Sequence, residues 1–257
     1  MLEGLVSGAA EDARAREQRV PIGELERRAA EQKPVSPLIH SLAEGSGVGI
    51  IAEIKRASPS RGKLAEIADP VALAREYESG GARAISVLTE SRQFLGSLDD
   101  LEAVAHNVAI PVLRKDFITS RYQVVESRAH GADLVLLIMA CLDDDAAGAL
   151  LSEIRRWGME ALVETHSEEE LTRAVGLGAA IIGVNARDLA TFELDRALFS
   201  RLSSRIPAGV VKVAESAVSG PEDVIAYKRA GADCVLVGEA LVTDGNPQQT
   251  VREFGAL

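Results

Sequence analysis

Aromatic side chains and cysteine are both scarce in this sequence. Only 4% of the 257 residues are Phe, Trp or Tyr, so a core has to be built mainly from Ala, Val, Leu and Ile. The two cysteines, Cys141 and Cys234, lack zinc or redox spacing, and each lies beside an apolar run. We interpret both as small buried hydrophobic residues. A chain of this length can bury a sizeable core without disulfides.

Basic residues are outnumbered as well. The chain has 28 Lys and Arg against 39 Asp and Glu, for a formal net charge of −11. Such a surface would repel nucleic acid, which we exclude as a partner, whereas a local cluster of cations could still bind a small anion. No apolar stretch reaches the length of a membrane span, and the acidic N-terminal segment does not resemble a secretory signal. We expect a cytoplasmic protein with no membrane partner.

A repeat organises the rest of the chain. A Gly-Ala pair precedes an apolar run four times, beginning at residues 81, 131, 178 and 231, and four further apolar runs alternate with these. The eight runs are roughly 20 to 35 residues apart, which is the length of a βα unit. They are nearly continuously apolar, as strands buried on both faces are, and the segments between them carry helix start and stop signals.

This alternation predicts the α/β class and a (β/α)8 TIM barrel. A doubly wound open sheet is the alternative, but evenly spaced parallel units with no obvious edge strand favour closure. Residues 1–47 contain two helical patterns, at 11–20 and 24–32, and are too few for a second domain. We therefore expect a single barrel domain over residues 1–257, of which residues 1–47 are a helical N-terminal extension.

Charged and polar residues recur where the predicted strands end, which is where active sites lie in this fold. Glu53 and Lys55 are two residues apart, so both side chains point to the same side of the first strand. Burying such charges is costly unless they pair or bind a ligand. Lysines and glutamates gathered at one end of a barrel indicate acid–base chemistry. The polar residues that follow the strands are Glu53, Lys55, Arg114, Lys115, Asp116, Glu164, Asn185, Arg187, Glu215, Ser216 and Glu239.

Two loops also favour a phosphate ligand. The segments after the seventh and eighth strands read AESAVSG and LVGEALV, and such small-residue turns let the backbone approach an anion. Arg187 and Ser58 could add a charge and a hydroxyl group. His166, two residues beyond Glu164, is compatible with either a structural or a functional role.

Six segments on strands one, three, five, six, seven and eight carry a resemblance to a known family. They read IAEIKRASPSRG (51–62), PVLRKDFI (111–118), ALVETHSEEEL (161–171), IIGVNARDL (181–189), VAESAVSG (213–220) and VLVGEAL (235–241). Over essentially its whole length the sequence resembles the indole-3-glycerol-phosphate synthase family. The resemblance implies a carboxy-lyase of tryptophan biosynthesis. Its reaction closes the ring of 1-(2-carboxyphenylamino)-1-deoxy-D-ribulose 5-phosphate, with loss of CO2 and water, to give indole-3-glycerol phosphate.

The resemblance also implies roles for individual residues. Lys115 would protonate the ribulose carbonyl as the aromatic carbon attacks, Lys55 would pair with the substrate carboxylate, and Glu164 would act as acid or base in the dehydration. Glu53 would orient the lysines. Asn185 and Glu215 would hold the substrate hydroxyls.

Two further groups of residues are implied around the ends of the substrate. Those expected at the phosphate are Ser58, Arg187, Ser216, Ala217, Gly238 and Glu239. Those expected at the anthranilate ring are Pro59, Phe94, Phe117, Leu136, Ile138, Leu189 and Val218. No cofactor and no metal are implied, and we expect a monomer that associates at most loosely with other tryptophan-pathway enzymes.

Two positions depart from the family pattern. Ala217 stands where the family usually has Gly, and a positive φ there would cost about 1 kcal/mol. Glu239 stands where many members have a small hydroxyl residue, and we expect it to point away from a phosphate. Two other functions stay open: a Schiff-base aldolase with Lys55 or Lys115 as the nucleophile, and a non-catalytic barrel that binds phosphosugars or a partner subunit.

Overall fold

A computed structural model describes residues 2–35, 38–43, 47–189, 191–243 and 245–257. Eight parallel strands follow one another around a closed barrel, and the last pairs with the first through Gly49 and Cys234. This confirms the predicted (β/α)8 architecture. The strands are β1 (Gly49–Ile54), β2 (Ala84–Leu88), β3 (Val112–Lys115), β4 (Leu134–Ile138), β5 (Glu160–Thr165), β6 (Ile181–Asn185), β7 (Val211–Glu215) and β8 (Cys234–Val237).

Helices precede the barrel, cover it and close the chain. They are α1 (Leu2–Glu17), α2 (Ile22–Glu31), α3 (Leu38–Ala43), α4 (Pro70–Gly80), α5 (Leu98–Ala105), α6 (Arg121–Ala129), α7 (Asp144–Arg156), α8 (Glu168–Gly176), α9 (Leu198–Leu202), α10 (Pro221–Arg229), α11 (Glu239–Thr243) and α12 (Pro247–Ala256). Short 3-10 turns follow β4 (Met139–Cys141) and α9 (Ser203–Arg205). In the part of the chain that the structure describes, no helix is long and apolar enough to cross a membrane.

The Gly-Ala repeat marks the ends of helices. Asp69 caps α4 by accepting hydrogen bonds from the backbone N–H groups of Val71 (3.0 Å) and Ala72 (2.9 Å), and Pro70 is its first residue. Gly81 ends that helix with a φ of 94°, a conformation that glycine adopts without a steric penalty. The glycines of the other three pairs also have positive φ. Each Gly-Ala pair of the repeat therefore marks the point where a helix ends and the chain turns into the next strand.

The N-terminal extension is more helical than the sequence indicated. The helix predicted at 11–20 begins instead at Leu2, and α2 forms close to where it was predicted. Gly8 is buried within α1, and a Cβ at this position would lie only 3.0 Å from the Arg92 guanidinium. The glycine lets α1 pack closely against the loop after β2. Arg16 then joins α1 to Glu126 on α6 through two hydrogen bonds of 2.6 and 2.9 Å.

The strands are buried on both faces, which explains their nearly continuous apolar sequences. One set of alternating residues packs together inside the barrel, and it includes Ile51, Leu113, Leu162, Val213 and Leu236. The other set packs against the surrounding helices and includes Ile50, Val112, Val135, Val163 and Val235. Cys234 is fully buried as expected, whereas Cys141 is only partly buried.

The alternate residues of each strand that face the inside of the barrel form its inward row, and these rows lead directly to the polar end of the barrel. Two residues beyond Ile51 in its row comes Glu53, and Leu113 and Leu162 are followed in the same way by Lys115 and Glu164. Asn185 and Glu215 continue the inward rows of β6 and β7. The alternation that builds the core thus aims five polar side chains at one point above it.

Candidate active site

A cavity of about 350 Å³ opens at the C-terminal ends of the strands. Every residue that the sequence suggested for catalysis, phosphate binding or ring binding lines it. These residues are Glu53, Lys55, Ser58, Pro59, Phe94, Lys115, Phe117, Leu136, Ile138, Glu164, Asn185, Arg187, Leu189, Glu215, Ser216, Ala217, Val218, Gly238 and Glu239. The structure therefore brings the whole predicted set together, and the roles of its members are taken up below.

Lys115 lies between two buried carboxylates at the centre of the cavity. Its Nζ atom is 3.4 Å from Glu164 Oε2 and 3.6 Å from Glu215 Oε2. Burial alone would lower the pKa of Lys115, but the negative charges of Glu164, Glu215 and Glu53 raise it above its ordinary value. The side chain is therefore a charged ammonium at neutral pH, which makes it a proton donor and not an amine nucleophile.

The two carboxyl groups beside Lys115 have pKa values that are shifted in opposite directions. Burial opposes the charge of Glu164, yet Lys115, His166 and a hydrogen bond from Asn185 hold its pKa well below its usual range. Burial and the neighbouring charge of Glu164 raise the pKa of Glu215 to about 8. Neither oxygen of Glu215 makes a hydrogen bond within the described residues. The opposite shifts make Glu164 the anionic member of the pair and favour the protonated form of Glu215.

Asn185 connects this acid–base group with the other end of the cavity. Its amide nitrogen donates a hydrogen bond to Glu164 Oε1 (3.0 Å). Its amide oxygen accepts hydrogen bonds from Ser216 Oγ (2.7 Å) and from the backbone N–H of Arg187 (3.0 Å). The amide is thereby oriented at both ends, with its position fixed relative to the turn after β7.

Glu53 and Lys55 form an ion pair along the opposite wall, with 2.7 Å between Oε1 and Nζ. The prediction that both side chains point to the same side of β1 is confirmed. A Cβ at Gly238 would overlap the Glu53 carboxylate and lie 3.2 Å from Lys55 Nζ. The end of β8 thus needs glycine because charged side chains from β1 occupy the space beside it.

The turn after β7 has an unusual backbone. Ser216 and Ala217 have φ angles of 67° and 60°, so two consecutive non-glycine residues are left-handed. The positive φ considered for Ala217 is therefore present. The Tyr227 hydroxyl donates to the carbonyl oxygen of Ser216 (3.2 Å), and Arg196 Nη1 donates to that of Ala217 (2.8 Å). These bonds hold the turn in the strained conformation, with its backbone facing the cavity.

Glu239 is the first residue of α11 at the neighbouring wall. Its carboxylate forms an ion pair of 2.7 Å with Arg61, which belongs to the loop after β1. Residues 57–58 and 62–63 of that loop form a short antiparallel ladder. The pairing with Arg61 neutralises the one acidic group among the residues expected at the phosphate.

An apolar wall closes the remaining side of the cavity. Phe94 and Phe117 are adjacent, with ring centroids 6.4 Å apart and planes tilted by 46°. Leu136 and Ile138, from β4, are buried beneath them. The cavity therefore has an apolar wall, a charged centre and a rigid turn, which suits a ligand with a flat apolar part and an anionic end.

Comparison with known proteins identifies the family. The family model of indole-3-glycerol phosphate synthase matches residues 2–254. The chain belongs to the indole-3-glycerol phosphate synthase family.

Individual members of the indole-3-glycerol phosphate synthase family are closely similar to the chain. The enzyme of Mycolicibacterium smegmatis is 53% identical over 254 residues, which cover 99% of this chain and 93% of that protein. The enzyme of Mycobacteroides abscessus is 54% identical over 255 residues, with the same coverage. Among solved structures, thiamine phosphate pyrophosphorylase from Pyrococcus furiosus aligns with a TM-score of 0.62 at 15% identity, covering 84% of this chain and 95% of that one. This last likeness concerns the fold alone.

Arg114 and Asp116, the two neighbours of Lys115 in the sequence, differ in role from this inward-facing lysine. Arg114 has the opposite parity on the strand and is fully buried behind the site. Its guanidinium forms ion pairs of 3.0 Å with both Asp116 and Glu126, and its Nε donates to Thr89 (3.1 Å). Arg114 is therefore a structural residue that fixes the end of β3 in this member of the synthase family.

Sequence reasoning missed Glu90, which lies two residues beyond β2. Its carboxylate accepts hydrogen bonds from the backbone N–H groups of Arg92 (2.8 Å), Gln93 (2.7 Å) and Phe94 (2.9 Å). It thus holds the loop that presents the Phe94 ring. Its place just after the second strand is the signal that points to it, because the other polar site residues also lie at strand ends.

Proposed function

We propose that this protein converts 1-(2-carboxyphenylamino)-1-deoxy-D-ribulose 5-phosphate into indole-3-glycerol phosphate, CO2 and water. The observation that carries the proposal is the charged Lys115, placed between an ionised and a protonated carboxyl group beside an aromatic wall. Membership of the synthase family supports the same reaction. Ring closure onto a carbonyl needs a proton donor at its oxygen, which this lysine can supply.

The cavity suggests how the substrate is oriented. Its ring packs against Phe94 and Phe117, with Pro59, Leu136, Ile138, Leu189 and Val218 completing the apolar surroundings. Its carboxylate pairs with Lys55. Its phosphate binds near Arg187 and the Ser216–Ala217 turn, and the other proposed phosphate contacts are Ser58, Gly238 and Glu239. The ribulose hydroxyls then lie within reach of Asn185 and Glu215.

The first half of the reaction forms a carbon–carbon bond. The ring carbon that bears the carboxylate attacks the ribulose carbonyl, and Lys115 gives a proton to the carbonyl oxygen, which becomes a hydroxyl. The attack interrupts the aromaticity of the ring, and breaking the bond to the carboxylate releases CO2 and restores it. The apolar wall weakens hydration of that carboxylate and so favours its loss.

The second half removes water. The new hydroxyl leaves as water after it accepts a proton, while a base removes a proton from the adjoining carbon so that the double bond forms. The lowered pKa of Glu164 keeps this carboxylate ionised at neutral pH, so it can accept the proton that is removed. Lys55 is the proposed donor to the leaving hydroxyl, because departure of CO2 frees its ammonium group. Glu53 orients Lys55 through their ion pair.

The remaining expectations are part of the same proposal. The chain is one barrel domain in which residues 1–47 are the extension, and it acts as a cytoplasmic monomer with at most loose association with other tryptophan-pathway enzymes. A Schiff-base aldolase would need a neutral amine, and the raised pKa of Lys115 opposes that at this position.

The test is incubation of the purified protein with the carboxyphenylamino-deoxyribulose phosphate. We expect indole fluorescence to appear together with release of CO2. Folded protein that gives neither product would overturn the proposal. Borohydride treatment in the presence of the substrate distinguishes the aldolase, because a covalent adduct on Lys55 or Lys115 would support a Schiff base instead.

A further inference from the structure

His166 lies directly behind the proposed base. It follows the last residue of β5, and its side chain is 8% exposed. Its Nε2 atom is 3.1 Å from Glu164 Oε1, and its Nδ1 atom is 3.2 Å from Glu170 Oε2. His166 does not line the cavity that holds Lys115 but a neighbouring one, on the far side of Asn185. It therefore reaches Glu164 without contacting the proposed substrate position.

The start of α8 fixes the imidazole ring. Ser167 caps the helix by accepting a hydrogen bond from the backbone N–H of Glu170 (3.1 Å). The Glu170 carboxylate returns to accept from the backbone N–H of His166 (2.8 Å), with the same oxygen that faces Nδ1. A helix cap of this kind orients the ring because Glu170 is itself held at the first turn.

Each ring nitrogen faces a carboxylate. Nδ1 is hydrogen-bonded to Glu170, whereas Nε2 approaches Glu164 at ion-pair distance without hydrogen-bond geometry. Only the imidazolium form, which carries a proton on both nitrogens, attracts both carboxylates. Burial would lower the pKa of His166, but Glu164 and Glu170 raise it to about 10. The side chain is accordingly a fixed cation through the neutral pH range.

The proposed reaction creates a need for such a cation. In the free protein Glu164 has Lys115 as a counter-ion, but Lys115 becomes a neutral amine once it has protonated the carbonyl oxygen. Glu164 is then left beside Glu215, a second buried acid, and a carboxylate in that position would gain a proton. A base that is protonated before the dehydration step cannot carry it out.

We propose that His166 is a positioning residue that orients Glu164 and keeps it ionised after Lys115 has given up its proton, with Glu170 holding the imidazolium in place. The inference rests on the proposed function, since it concerns the base of the dehydration step. It also gives His166 the role that the sequence left open.

The surroundings of Glu164 and His166 are mostly acidic, which favours the imidazolium form of His166. Glu164 also faces Lys115 and Glu215. Around His166, the titratable and charged groups are Glu164 on β5, Glu168 and Glu170 on α8, Cys141 on the turn after β4, Asp188, Glu193 and Asp195 on the segment after β6, and Arg201 and Arg205 beyond it. The two arginines in this group have partners of their own: Arg201 pairs with Asp195, and Arg205 pairs with Glu168.

The first experiment compares His166→Gln with wild-type protein. We expect kcat to fall at least tenfold while KM changes less than about twofold, and the acidic limb of the kcat profile, which reports groups in the enzyme–substrate complex, to move to higher pH. Glu170→Gln should shift the limb in the same direction by a smaller amount. Glu169→Gln, one position earlier on α8, is the matched control and should leave the profile unchanged.

A structural role alone would lower stability without moving the pH profile. An unmoved acidic limb in His166→Gln, or a loss confined to KM, would therefore overturn the inference. An active wild-type protein with that result leaves the proposed function standing, whereas inactive wild-type protein removes both.

A second measurement tests the inference first on the wild-type protein, without any variant of His166. In nitrogen NMR spectra of the wild-type protein at pH 7.5, both ring nitrogens of His166 should carry protons. Glu164→Gln should lower the pH at which the ring loses one of them. A neutral imidazole at pH 7.5 would contradict the inference.

Discussion

The Glu215 carboxylate occupies the space that a side chain at Gly183 would need. A Cβ built on Gly183 overlaps Glu215 Oε1 and lies 3.3 Å from Leu162 Cδ1. The two residues lie on the adjacent strands β6 and β7, both on the inward rows of the barrel. The glycine is therefore present because a buried acid projects across it.

Gly183→Ala should displace that acid. We expect kcat/KM to fall at least tenfold and the free energy of unfolding to fall by about 1–3 kcal/mol, because a well-packed site has no room for the methyl group. Kinetics and urea unfolding measure the two effects. The control is Gly4→Ala on α1, where an added Cβ meets no atom of the described residues within 4 Å apart from its chain neighbours and the nearby backbone of its own helix. Stability should stay the same or rise slightly in this variant. Unchanged activity and stability in Gly183→Ala would show that Glu215 adapts without loss.

Lys115→Ala should abolish turnover while the protein still folds. The change removes the proposed proton donor, and general acids of this kind contribute roughly 10²- to 10⁴-fold to rate. Circular dichroism and the fluorescence assay test the two parts of this expectation. Lys212→Ala, on β7 but outside the cavity, is the control and should keep near-normal activity. A wild-type rate in Lys115→Ala would remove this lysine from the chemistry.

Glu215→Gln should change how stability depends on pH. In the unfolded chain Glu215 loses its proton near its ordinary pKa of 4.5, but in the folded protein it does so only near 8. Between these values the folded state binds the extra proton, so this group makes the protein less stable as pH rises. The glutamine variant lacks this effect and should become more stable than the wild type by at least about 1 kcal/mol between pH 5 and 8.

Urea unfolding of both proteins at several pH values in that range tests the expectation. The difference in unfolding free energy should grow up to about pH 8 and then stay constant. Parallel pH profiles of the two proteins would mean that Glu215 is already ionised at neutral pH.

The left-handed turn at Ala217 leads to a prediction about coupling. Ala217→Gly should raise stability by about 0.5–1 kcal/mol and leave KM equal or lower, because glycine adopts positive φ without a clash. Arg196→Ala removes a hydrogen bond that holds the turn, and it should raise KM several-fold. In the Ala217→Gly background, Arg196→Ala should raise KM less, because glycine adopts the left-handed conformation without the support of that hydrogen bond.

A double-mutant cycle on KM measures this coupling. The control is Arg201→Ala, which removes an exposed arginine paired with Asp195 and should not affect KM. Additive effects of the changes at 196 and 217 would show that Arg196 does not support the conformation of Ala217.

Much of the fold and site could be predicted because one alternation governs both. Strands that are buried on both faces have apolar sequences. Along each strand, the last inward-facing residue enters the cavity, as Lys115 does two residues after Leu113. The same alternation shows that Arg114 and Lys115, which are adjacent in the sequence, face opposite sides of the strand. Glycine positions repeated at helix ends fixed the length of each unit.

Other features depend on contacts between distant segments and could not be predicted in this way. Glu90 binds three backbone N–H groups of its own loop, and nothing in its sequence neighbourhood shows how that loop folds. His166 acquires its role only because Glu164 and Glu170 approach it from a strand and a helix. The protonated state of Glu215 follows from burial beside a second carboxylate, which requires the closed barrel.

The attachment of α1 has a consequence for hydrogen exchange. The helix buries Leu5 and three small residues, Gly8, Ala9 and Ala13. Its ion pairs run from Arg16 to the buried Glu126 and from Asp12 to the exposed Arg92. Most of these buried side chains are small and bury little apolar area, and the exposed Asp12–Arg92 pair is screened by salt, so releasing α1 costs less than opening the barrel. Its amide protons should therefore exchange before those of the strands, and faster as salt is added. Since Arg92 belongs to the loop that carries Phe94, each such opening also loosens the aromatic wall.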